Sequence, residues 1–442
     1  MRSALPKVLH PLAHLPLLEH VINAAEALGA DDIHVVYGHG GEVVPETLSH
    51  KKIDWILQSE QLGTGHAVAK ATPSVKKGNK VLVLYGDVPL TSYQTLRRLV
   101  DSAEDNTLSL LTVNLEDPSG YGRIVRDGGG NVSRIVEHKD ASAEEQKINE
   151  VNTGILCAQA AQLNDWLERL SNDNAQGEYY LTDIIEMAVN GSVPVVTSHP
   201  ADEFEVLGVN NKIQLAELER YYQLQQATRL MEAGVTLRDP HRLDVRGDIE
   251  CGQDVTIDVN VTFEGSVKIG NNVAIAPNCH IKNADIGDGV TILANTVIED
   301  AVIGARSSVG PFARLRPQTR LAEETRIGNF VETKKADIGR GSKINHLSYV
   351  GDTCVGANVN IGAGVITCNY DGANKYLTEV GDDVFIGSDT QLIAPVKIGS
   401  GATIGAGSTI TKDVAPDVLA LSRSKQMERS GWKRPSKQKK TN

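Results

Sequence analysis

An α/β domain followed by an all-β parallel helix is the fold this sequence predicts, and three observations predict it. The first two hundred residues alternate helical and strand patterns. A long amphipathic stretch follows, and behind it an apolar residue recurs every six positions almost to the end. The alternation argues for helices interleaved with strands of a mostly parallel sheet. Helices are expected over Leu17 to Leu28, Tyr93 to Ala103 and Ala161 to Leu170, and strands over Ile33 to Tyr37, Lys80 to Tyr85 and Leu108 to Val113. From Asn211 to Ala233, Leu215, Leu218, Tyr222 and Leu230 stand among charges, the pattern of a connecting helix stopped at Gly234.

The six-residue period fits neither a helix nor an ordinary strand. One run is Ile257, Phe263, Ile269, Ile275 and Ile281, then, after a one-residue slip, Ile286, Ile292 and Ile298. A second is Val380, Ile386, Leu392, Ile398, Ile404 and Ile410. A coil of three short flat faces, each giving one inward residue, has this period. Such coils stack into a parallel β-helix and bury their apolar residues on one another. Gly, Asp and Asn follow the apolar position (Ile269-Gly270-Asn271-Asn272, Ile286-Gly287-Asp288), where a corner needs unusual backbone angles. A β-sandwich of short strands has no reason to hold one period for so long. The repeat is regular from near Val255 to near Val414, broken once at Thr367 to Leu377 by a projecting loop. The domains expected are 1–210, a linker helix 211–234, the β-helix 235–424 and a basic tail 425–442 that includes Lys433, Arg434, Lys437, Lys439 and Lys440.

Composition narrows the function. The 442 residues suit two or three domains. A net charge of −12 argues against nucleic acid as a partner, because that affinity rests on neutralising phosphates. Cys157, Cys251, Cys279, Cys354 and Cys368 have neither metal-ligand spacing nor a disulfide framework, which points to a reducing compartment. No stretch is long and apolar enough for a bilayer, and the first residues make a poor signal peptide, so a cytoplasmic protein with no membrane partner is expected.

Several motifs carry chemistry. Tyr85-Gly86-Asp87-Val88-Pro89-Leu90 follows an apolar strand. A carboxylate at the end of a strand in an open α/β sheet lies where ligands bind, and it suits Mg²⁺ beside phosphates. Alone, it reads more readily as an Asp capping a turn. In Gln58-Ser59-Glu60-Gln61-Leu62-Gly63-Thr64-Gly65-His66-Ala67, two glycines would let backbone N–H groups approach a ring or a phosphate. Asp117 to Arg123, Glu137 to Asp140, Asn152-Thr153-Gly154 and Gly208 to Asn211 complete the front set. In the repeat, Arg314, Arg316, Lys334 and Lys335 put cations on a face that should be bland, and a phosphate is their natural ligand; the alternative is a solvated charged face. His346 in Asn345-His346-Leu347-Ser348-Tyr349 is a titratable group in the same region.

Taken in order, these motifs resemble the family of bifunctional N-acetylglucosamine-1-phosphate uridyltransferases/glucosamine-1-phosphate acetyltransferases of bacterial cell-wall precursor synthesis. Leu5-Pro6-Lys7, Gln58 to Ala67, Tyr85 to Leu90 and Cys368-Asn369-Tyr370-Asp371-Gly372 carry the resemblance, which runs almost end to end. It implies a Rossmann-like nucleotidyltransferase domain and a left-handed β-helix assembled as a homotrimer. It implies Mg²⁺ as cofactor, with UTP and acetyl-CoA as co-substrates. In the front domain Asp87 and Asn210 would bind Mg²⁺, Lys7 would neutralise phosphate, and Gln58, Gly63 and Thr64 would face uracil. Tyr85, Gly86, Gly122, Glu137 and Asn152 would hold the sugar and its surroundings. In the β-helix, His346 falls on the general base with Glu332 as its partner. Arg316, Lys334, Tyr349, Asn360, Asn369 and Tyr370 would bind the sugar phosphate, and Ala363, Ser388, Ala406 and Arg423 the acetyl-CoA.

The family opens with an apolar strand and a glycine loop of the form L-A-A-G-x-G-T-R-M, and Met1 falls on the last residue of that motif. A domain lacking its first strand, with exposed sheet edges and weak or absent uridyltransferase activity, is therefore expected of this chain. The competing readings are an acetyltransferase alone, a non-catalytic repeat scaffold, and a zinc hydrase on the same prism. The last needs converging histidines, and the repeat offers only His280 and His346. Passage of acetyl through Cys354 or Cys368 is a further mechanistic alternative to direct transfer.

Overall fold

The computed structural model describes residues 1–38 and 41–437. Lys439 and Lys440 of the expected basic tail lie outside the described residues. The chain divides into two compact units, Met1–Tyr222 and Gln223–Asn442. The division falls inside the helix that the sequence assigns to the linker.

The first unit uses α1 (Leu17–Ala27), β1 (His34–Tyr37), β2 (Asp54–Leu57), α2 (Thr64–Ala71), β3 (Lys80–Val83), α3 (Tyr93–Ser102), β4 (Leu108–Asn114), β5 (Arg123–Arg126), β6 (Val132–Val136), β7 (Glu150–Gln159), α4 (Asp183–Asn190) and β8 (Val195–Ser198). The expected helices and strands are present within a few residues, the one expected over Ala161 to Leu170 running Ala160–Leu167, and Ser92 caps α3 by accepting from the Thr95 N–H at 3.2 Å. The sheet is not mostly parallel. Its order is β8-β4-β7-β5-β6 with β3 on β7, and β7 runs antiparallel to β3, β4 and β5. The sequence reading missed this because a strand buried on both faces reads the same in either direction. Strands β1 and β2 pair parallel in a sheet of their own.

The helix α5 (Lys212–Glu232) gives Leu218 to a core cluster of the first unit and Ala227 and Leu230 to that of the second. In the second unit every apolar residue of both six-residue runs is buried in one continuous cluster. Parallel ladders join each coil to the next, so that Phe263 lies on Ile281 and Ile281 on Ile298. The one-residue slip has a physical cause. The ladder shifts between Glu264 and Val267, where Gly265 at φ 68° leaves no room for a β-carbon against the Asn283 side chain. Coil partners are ordinarily 17 or 18 positions apart, but 25 across the projecting loop, whose Tyr370 bridges Lys375. No helix among the described residues is long and apolar enough to cross a membrane.

Two candidate active sites

In the first unit, the loop after β3 and the loop before α5 are tied together: the Val209 N–H donates to the Asp87 carbonyl at 2.9 Å. Asp87 and Asn210 thereby face each other, and Lys7 lies between them. Its Nζ donates to Asp87 Oδ2 at 2.5 Å and to Asn210 Oδ1 at 3.0 Å. A carboxylate and a carboxamide oxygen are hard donors suited to Mg²⁺, and the ammonium shows that this pair accommodates a cation.

The other predicted residues surround this cluster. Burial, foremost, then Glu137 and Asp87, push the Tyr85 phenol up to about 12, so it stays neutral. Its ring lies where a β-carbon on Gly154 would sit. Asn152 Oδ1 accepts from the Gly154 N–H at 2.9 Å, and the Asn152 N–H donates to the Gly122 carbonyl at 2.8 Å. Glu137 accepts from Thr182 Oγ1 at 3.1 Å, and burial raises its carboxyl above the usual range. Burial, with Glu137 next, pushes nearby Asp183 up to about 6. Gly86 packs against Leu18.

The glycine block has a different cause from the one expected. Gly63, at φ 110°, and Gly65 pack directly against the backbone of Tyr179, and the Gly65 N–H donates to the Tyr179 carbonyl at 2.8 Å. Thr64 Oγ1 accepts from the Leu181 N–H at 3.1 Å. Gln58 Nε2 lies 3.0 Å from His66 Nδ1 and 3.3 Å from the Gly63 carbonyl. The glycines thus serve close packing of two segments, and that packing holds Gln58, Gly63 and Thr64 in one loop. Sequence reasoning had no signal for Tyr179 or Thr182, which are distant in the chain.

In the second unit the coils line up the residues in two columns. On one corner, backbone bonds link Asn329, His346, Ala363 and Ser388 through successive coils: Leu347 N–H to Asn329 O (3.1 Å), Gly364 N–H to His346 O (3.3 Å), Asp389 N–H to Ala363 O (2.7 Å) and Gly407 N–H to Ser388 O (2.8 Å). Arg423 Nη1 closes the column on the Ala406 carbonyl at 2.9 Å. His346 is exposed, and the buried Ser348 hydroxyl reaches its carbonyl at 2.8 Å. The ring's partner within the chain is not Glu332. Its Nδ1 lies 2.9 Å from Asn329 Oδ1, while Glu332 accepts from Arg316 Nη1 at 2.7 Å. Asn329 is one coil before His346, so the period itself could have found it.

On the adjoining face Arg314, Glu332, Tyr349 and Ile366 stack in register, and Lys334 stacks on Gly351. Lys334 faces Lys375 of the projecting loop, and that ammonium, foremost, with desolvation, lowers the Lys334 pKa. Two cations held face to face make an anion site, and Lys375 escaped the sequence reading. Asn369 Nδ2 donates to Asp352 Oδ2 at 2.5 Å, and the Tyr370 hydroxyl to the Gly372 carbonyl at 2.5 Å, which fixes the loop. Asn360 stacks between Lys343 and Phe385.

Residues 1–128 match the family of MobA-like NTP transferase domains, 245–336 the GMPPB C-terminal domain and 378–412 the bacterial transferase hexapeptide. The bifunctional protein GlmU of Marinobacter nauticus is 59% identical over 437 residues, covering 99% of this chain and 96% of that protein. That of Aromatoleum aromaticum is 60% identical over 439 residues, with the same coverage. The chain belongs to the GlmU family. Family membership makes it a bifunctional transferase, with nucleotidyltransferase and acetyltransferase activities in one chain. In GlmU terms, Lys7 and Asp87 of the first cluster fall within the residues matched as NTP transferase, and Ser388 and Ala406 of the corner column within those matched as hexapeptide.

Proposed function

We propose that the second unit transfers acetyl from acetyl-CoA to the amine of glucosamine-1-phosphate. The first unit then joins the product, N-acetylglucosamine-1-phosphate, to the uridylyl group of UTP and releases pyrophosphate. The observation that carries this reading is the corner column. It places an imidazole at one end, a guanidinium at the other and small residues between. Four coil steps of about 4.8 Å separate His346 from Arg423, roughly 19 Å in all. An extended pantetheine arm fits along Ala363, Ser388 and Ala406, with its thioester at His346 and a phosphate at Arg423.

With Nδ1–H donating to Asn329, the lone pair of His346 stands on Nε2. That nitrogen takes the proton as the sugar amine attacks the thioester carbonyl, and CoA leaves as its thiolate. Arg316, Lys334 and Lys375 hold the sugar phosphate, and Glu332 orients Arg316. Tyr349, Asn360, Asn369 and Tyr370 line the sugar. Direct transfer is favoured over a thioester relay, because burial raises the thiol pKa of both Cys354 and Cys368.

Uridylyl transfer needs little base catalysis, since the attacking phosphate is already ionised. Positioning and charge neutralisation carry it. Asp87 and Asn210 would hold Mg²⁺, which supplies charge neutralisation at the triphosphate. Lys7 neutralises a phosphate, Gln58, Gly63 and Thr64 face the base, and Tyr85, Gly86, Gly122, Glu137 and Asn152 hold the sugar. Exposed Phe312, Phe330 and Leu347 follow one another up a prism corner, the two rings stacked at 5.3 Å, and they support assembly with further copies as a homotrimer.

The test is CoA release by the full chain with glucosamine-1-phosphate, and UDP-sugar formation with UTP and Mg²⁺. Amine-dependent CoA release is expected. No release above background would overturn the acetyltransferase reading.

A further inference from the structure

Arg123, the first residue of β5, is only 1% exposed and is the largest side chain among those fully buried. Among the described residues its bonds all go to neutral acceptors. Nη1 donates to the Tyr121 carbonyl, Nη2 donates to His138 Nδ1 at 3.3 Å, and Nη2 also reaches the Gln146 carbonyl at 3.5 Å. A guanidinium has donors only, so His138 takes this bond on an unprotonated Nδ1. Nε is buried without a partner. A buried cation lacking a carboxylate costs stability, and an apolar side chain of similar volume often serves a core as well or better. Packing therefore does not account for an arginine here, whereas its fork of donors does. The fork grips the turn before β5 at one point and the connection from β6 to β7 at two, near its start and near its end.

Those two segments carry Gly122 and Glu137. Strands β5 and β6 pair with Arg123 opposite Val136, which sets Gly122 beside Glu137. A β-carbon on Gly122 would stand 3.5 Å from the Glu137 carboxylate. In a trans peptide the C=O and N–H groups point opposite ways, and the Tyr121–Gly122 bond is trans. The guanidinium holds the Tyr121 carbonyl, so the Gly122 N–H is turned away from it. Gly122 is buried, and among the described residues its N–H has no partner. A buried backbone donor left unpaired is rare. Next to it stands a carboxylate, which only accepts. A hydroxyl both accepts and donates, so one hydroxyl satisfies the two together.

We infer that Arg123 is a positioning residue for uridylyl transfer. Its fork fixes the Tyr121–Gly122 peptide and the chain that follows Glu137, so that the Gly122 N–H and the Glu137 carboxylate bracket one hydroxyl of the sugar. Arg123 acts through these groups from the interior. A lysine keeps the charge but has one nitrogen on a flexible stem, and it cannot hold both segments in one fixed geometry. The inference rests on the assignment of Gly122 and Glu137 to the sugar.

The test is calorimetric titration of the full chain with UDP and with UDP-N-acetylglucosamine, both with Mg²⁺. The ligands share the nucleotide, so the ratio of their affinities is what the sugar adds. Loss of folded chain weakens both alike and leaves the ratio where it was, so a purely structural role does not move it. Arg123→Lys should keep UDP binding within about twofold and cut the ratio by roughly three- to tenfold, the loss of one or two hydrogen bonds. His138→Leu removes one acceptor at a half-buried position and should cut the ratio by about two- to threefold. His138→Gln, which returns an oxygen acceptor, should restore it. An unchanged ratio in Arg123→Lys, or in His138→Leu where the lysine variant does not fold, would overturn the inference and leave the sugar assignment standing. An unchanged chain that binds UDP-N-acetylglucosamine no better than UDP would overturn the sugar assignment, and the inference with it.

Discussion

The two units bury their apolar residues in different ways. In the second unit one cluster runs from Ala227 to Ile410 without a break. In the first, the described residues form four separate clusters, and the strands His34–Tyr37 and Lys80–Val83 stay half-buried. A repeat fixes each residue's neighbour by arithmetic, so residues one coil apart meet wherever the period holds. An α/β unit fixes neighbours by pairing segments that lie far apart in the chain. The second unit's site can therefore be read along the chain, while that of the first depends on segments far apart, such as Lys7, Asp87 and Asn210.

Because each unit carries its own chemistry, substitutions in one should leave the other untouched. The largest effect is expected for His346→Ala, which should lower the turnover of CoA release by roughly 10²–10⁴ with UDP-sugar formation unaltered; a parallel fall in both would break the separation. Asp87→Asn should reduce uridylyl transfer by about 10² and raise the Mg²⁺ requirement, and CoA release should persist at its original rate. Gly154→Ala sets a β-carbon against the Tyr85 ring at φ 83°. It should destabilise the first unit by about 1–3 kcal/mol, seen as a lowered first-unit transition on heating beside an unmoved second one.

The smallest effect concerns pH. Asp183 titrates at about 6 in the fold, above the ordinary carboxylate range, because of burial and then Glu137. A raised carboxyl pKa means that the folded state binds the proton more tightly, so stability falls as pH rises from about 4 through 6. Asp183→Asn should add about 1–2 kcal/mol at pH 7 and little at pH 3, measured by denaturant unfolding at both values. Equal gains at both would assign the effect to packing instead.

Much of this was legible in the sequence. The inward residues from Ile257 to Ile410 and the break at Thr367 to Leu377 follow from the period, and the helices and strands of the first unit from alternation. The antiparallel course of Glu150–Gln159 was not, because its apolar run carries no direction. The Asn329 partner of His346 was within reach of the period, one coil back. The role of Gly63 and Gly65 in packing on Tyr179, and the approach of Lys375 to Lys334, depend on contacts that no local pattern encodes.

The central claim is that one prism corner holds the acetyl donor. A crystal of the chain soaked with CoA tests it most directly. The account predicts the sulfur beside His346, the pantetheine arm over Ala363, Ser388 and Ala406, and a phosphate on Arg423. CoA seated on another face, with His346 and Arg423 both untouched, would contradict it.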